Sequence, residues 1–325
     1  MSNPEDYTVG WICAVVTEYV AAQVFLDRKH GRPENLSASD NNDYTLGEMG
    51  GHNVVLATLP DGEYSIASAA TVARDMLHSF PNIRFGLMVG IGGGAPSQNH
   101  DIRLGDIVVS ASREGTGSVL QYDFDKTIQS QNFCPTGYLN QPPPILGTAV
   151  AGLKAQYERK GHQIEDAIGS ILDKNKRMRR KYRRPNPDSD RLYQSQVLHP
   201  LNNEASCTQS CGNDASKLIL RRERTEDDDN PMVHYGLIAS GNKLMNDALL
   251  RDALIAEAAG LVNHFPCLVI RGIFDYSDSH KNKEWQGYAA MAAAAYTKDL
   301  LCRIVPQQVK AERKIISEIL FSQSN

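Results

Sequence analysis

A chain of 325 residues, 41% hydrophobic and 22% charged, is long enough for one large domain or two small ones and apolar enough for a sizeable core. Its formal net charge of −4 excludes a general electrostatic pull toward nucleic acid or anionic membrane, and no apolar run approaches the ~20 residues of a membrane span. The six cysteines are too few and too scattered for a disulfide scaffold. With Cys13 and Cys267 in apolar runs and no signal-like start in "MSNPEDYTVGW", reduced thiols and a cytoplasmic location are expected.

Taken in chain order, "YTVGWICAVV" (residues 7–16) has the β-branched and apolar density of a strand. "TEYVAAQVFLD" reads as a helix with Thr17 as its N-cap. "NNDYTLGEMGGHNVVLATLP" reads as a hairpin and strand with turns at Asn41-Asn42 and Gly50-Gly51. "SIASAATVARDMLHSF" is a helix whose small residues suit close packing on a sheet, "RFGLMVGIGGGAP" a buried strand that runs into glycines, and "DIRLGDIVVSAS" a further strand. This alternation predicts a sheet covered by helices on both faces. From about 125 to 232 the pattern changes to "NQPPP", helical "GTAVAGLKAQYERKGHQIEDAIGSILDKN", basic "KNKRMRRKYRRP" and polar stretches, which reads as an insertion or lid of helices and loops. Core signals return at "VHYGLIASGN" (residues 233–242). Helical "NKLMNDALLRDALIAEAAGLVNHF", the strand "CLVIRGIFD", the alanine-rich helix "QGYAAMAAAAYTKDLLCRIV" and an amphipathic tail with few obvious partners follow.

The chemistry-bearing residues sit at the ends of these strands. "CLVIRGIFDYSDSH" leads a buried strand into Asp275 and Asp278. Aspartates commonly end strands, but open α/β sheets also place their chemistry at this edge, and a carboxyl beside apolar walls can stay protonated and act as an acid. "VGIGGGAP" is neither a Walker A loop nor a dinucleotide fingerprint, and its spacing fits a tight turn or a ligand-contacting loop equally. Glu18, in the first turn of a helix, has an ordinary charge–dipole reading. Glu257 lies among small apolar residues and needs donors, for which ligand hydroxyls would serve. The basic run reads as a solvated surface neutralised by "ERTEDDDN" rather than an RNA site. "CTQSC" (Cys207, Cys211) near His199 lacks the paired-cysteine knuckle spacing, so no metal or other cofactor is expected.

Together, "GWICAVVTEYVAA", "LMVGIGGGAP", "DIRLGDIVVS", "YGLIASGN", "EAAGL" and "VIRGIFDYSDSHKNKEWQGYAAMAAAAY" resemble the nucleoside phosphorylase/nucleosidase superfamily. The likeness is to the branch of purine nucleoside phosphorylases and methylthioadenosine/adenosylhomocysteine nucleosidases, and within it to fungal nucleoside hydrolases and the N-terminal domains of fungal NACHT/ankyrin proteins. The resemblance covers residues 6–305, insertion included, and leaves 306–325 as the tail. It implies a three-layer α/β/α sandwich around a mixed central sheet, a homo-oligomer, a small purine nucleoside as substrate, no nucleic-acid or membrane partner, and cleavage of an N-ribosidic bond through an oxocarbenium-like transition state.

By the same resemblance Asp275 is the acid at purine N7 and Glu18 the carboxylate that positions the attacking water. Glu257 would bind the ribose hydroxyls, and Gly90, Ile91, Gly92 and Gly93 would back the sugar and base. Tyr122, Asp123 and Phe124 would supply the stacking surface, Ser240 would join the binding set, and Asp278 and Arg271 would stand behind the reacting groups. The phosphorylases of this branch carry arginines before the glycine loop and near the first helix. Here Met88 and Val89 precede the loop and residues 17–23 hold no basic residue, which favours water over phosphate as nucleophile. One departure stands out: "MNDALLRDALIA" runs directly into Glu257, and Ala256 replaces the family's methionine, so the chain is short by about a strand's length, roughly 5–10 residues. The leading expectation is a purine nucleoside hydrolase; the alternatives are a phosphorylase and a catalytically weak nucleoside-sensing module.

Overall fold

The first strand, β1 (Val9–Cys13), is buried along its whole length, as its continuous apolar run requires of a strand covered on both faces. It feeds α1 (Val16–Val24), which starts one residue before the expected Thr17 cap. The backbone N–H groups of Ala14 and Val15 donate instead to the Glu18 carboxylate, at 2.6 and 3.1 Å. A residue inside the first turn thus reaches back to satisfy the helix entrance. Strands β2 (Arg28–Lys29), β3 (Tyr44–Met49) and β4 (His52–Thr58) follow. Gly50 and Gly51, at φ 59° and 80°, make the expected tight turn between β3 and β4. Helix α2 (Ile66–Ser79) is capped by Ser65, whose Oγ accepts from Ser68 N at 3.1 Å. Strand β5 (Phe85–Gly93) carries the glycines, β6 (Ile107–Ser110) follows, and β7 is Val119–Gln121.

The changed middle region holds α3 (Pro144–Lys160), α4 (Ile164–Lys174) and the short α5 (Arg179–Tyr182) and α6 (Cys207–Ser210). The segment expected as one strand, "VHYGLIASGN", divides into β8 (Val233–Gly236) and β9 (Ile238–Ser240). Helix α7 (Ala248–Glu257) runs into residue 257 directly, as the short spacing there implied. Strand β10 (Cys267–Asp275), α8 (Gln286–Arg303) and α9 (Pro306–Ala311) complete the order. This computed structural model describes residues 1–63, 65–97, 100–111, 119–121, 142–200, 207–212, 214–240, 245–257 and 267–317.

Eight strands form one mixed sheet in the order β2-β3-β4-β1-β5-β10-β6-β8, and β7 pairs with β9 separately. The centre, β4-β1-β5-β10, is parallel; β6 runs antiparallel to β10, and β8 parallel to β6. On one face Val72, Met76 and Phe80 of α2 and its end meet Ile12, Val55 and Ala57. On the other, α1, α3, α4 and α8 cover Trp11, Leu87, Val89, Leu268 and Ile270. The architecture is therefore the expected three-layer α/β/α sandwich around a mixed sheet. Helix α8 is buried from Gly287 to Thr297. Its alanines let it approach β10 so closely that a Cβ at Gly272 would lie 1.9 Å from the Ala289 carbonyl oxygen. No helix among the described residues is long and apolar enough to cross a membrane.

Most of the basic run is exposed, as the solvated reading expects, while buried Tyr182 and a few contacts hold it to the body. Lys181 Nζ donates to Thr17 Oγ1 at 2.8 Å. Arg179 pairs with Asp173, and Arg184 with Glu165 at 3.5 Å. These two ion pairs go to α4; of "ERTEDDDN", Asn230 accepts from Arg184, while Asp228 pairs with Arg222 at 2.6 Å.

Candidate functional site

The carboxyl ends of β1, β5 and β10 lie side by side, and each supplies part of one rim. Glu18, just past β1, is 4% exposed. Its Oε1 accepts Ile91 N at 2.7 Å while Oε2 takes Ala14 and Val15, so one carboxylate ties the end of β1 to the end of β5. Burial raises its pKa, outweighing the Arg271 charge and the three backbone N–H groups, which oppose the rise. Gly90 makes room for this arrangement, since a Cβ there would lie 2.2 Å from Glu18 Oε1 and 2.7 Å from Arg271 Nη1. Gly92 lies under the aliphatic stem of Arg271. Among the described residues the Arg271 guanidinium makes no hydrogen bond or ion pair, and it attracts Glu18 through space.

Asp275 ends β10 and is 3% exposed. A Cβ at Gly93 would lie 2.6 Å from its Oδ1. The sequence set this carboxyl among apolar walls that would keep it protonated. The structure instead gives Oδ2 an ion pair with Lys281 Nζ at 2.6 Å and gives Oδ1 the Ser277 N–H at 3.1 Å. Ser277 adopts φ 53°, and this left-handed turn brings the loop back over the strand end. Asp278 accepts His280 N at 2.7 Å and closes the loop upon itself. Arg251 of α7 pins the same loop by donating to the Tyr276 carbonyl at 2.6 Å. Lys281, Ser277 and Arg251 were not singled out from sequence. Their contacts pass through an irregular loop whose path no periodicity encodes.

Glu18 and Asp275 therefore come from the strands flanking β5, and both carboxylates reach its glycine end, Glu18 at Gly90 and Ile91 and Asp275 at Gly93. The structure brings Gly90, Ile91, Gly92, Gly93 and Arg271 to the same rim. The backbones of Ser240 and Glu257 are placed in β9 and α7, whereas their side chains, and all of Tyr122, Asp123 and Phe124, lie outside the described residues. The prominent concavities are elsewhere. One of about 460 Å³ is lined by Arg103, Arg184, Asp190, Arg221 and Trp285. Another of about 600 Å³ lies between Val20 and the basic run. The rim is the better candidate because the arginines of the first cleft are spent on structural pairs, such as Arg221–Asp190 at 3.1 Å and Arg103–Asp101 at 2.5 Å. The second holds no acid.

A separate cluster forms beside the Asp275 loop. His199 Nδ1 lies 3.2 Å from Cys211 Sγ and 3.6 Å from Cys207 Sγ, so the structure joins three residues that spacing alone left apart.

The fold and rim define an open α/β protein with buried carboxylates flanking a glycine-rich parallel strand. No protein-family model matches the chain. It is 43% identical over 331 residues to a nucleotide-binding leucine-rich repeat (NLR)-like protein of Hyaloscypha variabilis, covering 99% of this chain and 32% of that protein. The chain thus spans about a third of the length of that curated relative. Among solved structures it is similar to the 5′-methylthioadenosine/S-adenosyl homocysteine nucleosidase of Helicobacter pylori, with 14% identity, TM-score 0.47, and 91% of this chain and 97% of that one covered. It is also similar to the futalosine hydrolase of H. pylori, with 13% identity, TM-score 0.47 and coverage of 91% and 97%. The 5′-methylthioadenosine/S-adenosylhomocysteine nucleosidase of Neisseria meningitidis gives 14% identity, TM-score 0.49 and coverage of 92% and 99%.

Proposed function

We propose that the chain is an N-ribosidic hydrolase acting on purine nucleosides. The observation that carries this reading is the placement of Glu18 and Asp275 on either side of the glycine end of β5. Glycines there leave a floor without side chains, on which a flat base and a sugar can lie. Glu18 takes a proton from water as the oxygen bonds to the anomeric carbon. The electron pair of the C1′–N9 bond leaves with the purine. That base gains a proton at N7 through Asp275, where the Lys281 ammonium keeps a proton at hand and offsets the negative charge of departure. Free base and ribose result; Glu18 returns its proton to solvent and the Asp275–Lys281 pair takes one back from it, so the cycle closes. The raised pKa of Glu18 suits it to be a base, because a more basic carboxylate draws a water proton more strongly. Glu257 holds the ribose hydroxyls in this scheme.

The direct test is product identity in phosphate-free buffer across a panel of purine nucleosides. Base and ribose released in equal amounts support hydrolysis. Release only on adding phosphate, with ribose 1-phosphate as product, would replace water by phosphate. Arg271, beside Glu18 and without an ion-pair partner among the described residues, is the group that would receive that anion. The Glu18 carboxylate next to it would repel a phosphate dianion, which is why water is the preferred nucleophile. A nucleoside-sensing role is the second reading, favoured by the likeness to one third of a longer NLR-like protein. Nucleoside binding with no turnover at any phosphate concentration would establish it.

A further inference from the structure

The cluster beside the Asp275 loop has the make-up of a metal site. We propose that His199, Cys207 and Cys211 bind one thiophilic dication, zinc by chemistry, and that this ion fastens the segment around α6 to the loop that carries Asp275.

The first argument is geometric. Zinc bonds of about 2.3 Å to sulfur and about 2.05 Å to nitrogen, at a tetrahedral angle, set nitrogen and sulfur about 3.6 Å apart. The His199 Nδ1 distances to the two sulfurs are 3.2 and 3.6 Å, and all three donor atoms lie within 4.8 Å of one another. The second argument is hydrogen-bond accounting. Nδ1 has one lone pair, and two thiols face it, so only one S–H can donate there and the other is left its neighbour's sulfur, a weak acceptor. A cation serves all three groups at once. The third is the neighbourhood. His280 is 6% exposed and, among the described residues, neither of its ring nitrogens has a hydrogen-bond partner. Its ring centroid lies 5.9 Å from that of His199 and 4.0 Å from that of Tyr193, on which it stacks, and its Nδ1 lies 3.5 Å from Asp278 Oδ2. Buried Asp278, at 3% exposure, adds negative charge beside Cys207. Three protein donors leave a fourth tetrahedral position for water, with the facing His280–Asp278 pair as the adjoining polar groups.

Binding takes up one dication and releases two protons, one from each thiol, while His199 coordinates as neutral imidazole. Burial, and then Cys211, push the Cys207 thiol up to about 12; a coordinating dication overrides this by deprotonating the thiol outright. The mechanical consequence follows from two contacts already present. His199 N donates to Ser279 Oγ at 2.9 Å, and Ser195 of the same segment hydrogen-bonds Asp252 of α7. Fixing His199 therefore fixes the loop four residues past Asp275.

The test uses the full chain, purified reduced and stripped of metal. Zinc is titrated against a chromophoric chelator, and cobalt(II) is used as the spectroscopic probe. One equivalent of zinc and a cobalt spectrum with thiolate charge-transfer and tetrahedral d–d bands are expected. Cys207→Ser, Cys211→Ser and His199→Asn should each raise the zinc Kd by more than about 100-fold, beyond the loss of an outer-sphere partner, while Cys302→Ser, an exposed thiol apart from the cluster, leaves it unchanged. Zinc should also raise the melting temperature of the wild-type chain. Absence of thiolate bands in the wild-type cobalt spectrum overturns the proposal even if a variant fails to fold. So does zinc affinity indifferent to the three substitutions, or a Cys207–Cys211 disulfide in the protein as isolated without reductant.

Discussion

In the proposed reaction Glu18 would serve structure and chemistry together. Its three backbone donors lock its orientation, while burial lifts its pKa against the pull of Arg271. A base must be unprotonated to accept a proton from water. Activity is therefore present above the raised pKa and is lost as pH falls through it. The acid limb of kcat/KM should accordingly lie above the ordinary glutamate value of about 4.3. A limb at or below that value would remove Glu18 as the base. Sequence displayed both Glu18 and Asp275, because each follows an apolar run at a strand end. It did not display Lys281, whose ion pair with Asp275 spans six positions through a loop turned by a non-glycine residue at positive φ. His199, Cys207 and Cys211 were visible in the sequence, but their spacing did not show that folding gathers their donor atoms within 4.8 Å of one another.

Among the elements, β6 is anchored by Asp106, which is 1% exposed. Its carboxylate binds Arg224 at 2.5 and 2.6 Å, His234 Nε2 at 2.9 Å and Met232 N at 3.0 Å. Its backbone carbonyl accepts Ile273 N at 2.8 Å and so holds the end of β10. Burial works to raise the pKa of Asp106, but Arg224 and His234 outweigh it and the net shift is downward. The folded-state pKa is depressed, so its contribution is complete above the unfolded value of about 3.9 and is lost as pH falls through the folded value. Asp106→Asn should cost about 3–5 kcal/mol at neutral pH, because Arg224 is left buried without its partner. The deficit should shrink in strong acid, as denaturant melts at both pH values would show. An unchanged melt at pH 7 would deny the network this role. Sequence placed this strand but set its start too early. "DIRLGD" reads as extended by composition, yet Gly105 at φ 89° and the Asp106 network make it a turn that precedes β6.

At the scale of the molecule, the buried central strands were legible from apolar density, though not their direction, and the β3–β4 hairpin from its glycine pair. The two helical layers followed from alternation of strands and helices. The tail was less legible, since its amphipathic pattern names no partner. In the structure Ile315 is fully buried, its N–H donates to the Ile83 carbonyl at 3.1 Å, and Arg84 Nη1 donates to the Glu312 carbonyl at 2.6 Å. The tail therefore closes the α2 face of the sheet, and Ile315→Ala should destabilise the chain by about 2–5 kcal/mol in a denaturant melt. A change below 0.5 kcal/mol, typical of surface positions, would mean that this docking contributes nothing.

The most direct test is base release from a purine nucleoside in phosphate-free buffer by the wild-type chain, Glu18→Gln and Asp275→Asn, each checked for native folding. Turnover by the wild-type chain is expected, with a loss of about 10²–10⁴-fold in each variant, the usual share of a general acid or base. Wild-type turnover undiminished by either substitution would contradict chemistry at this rim.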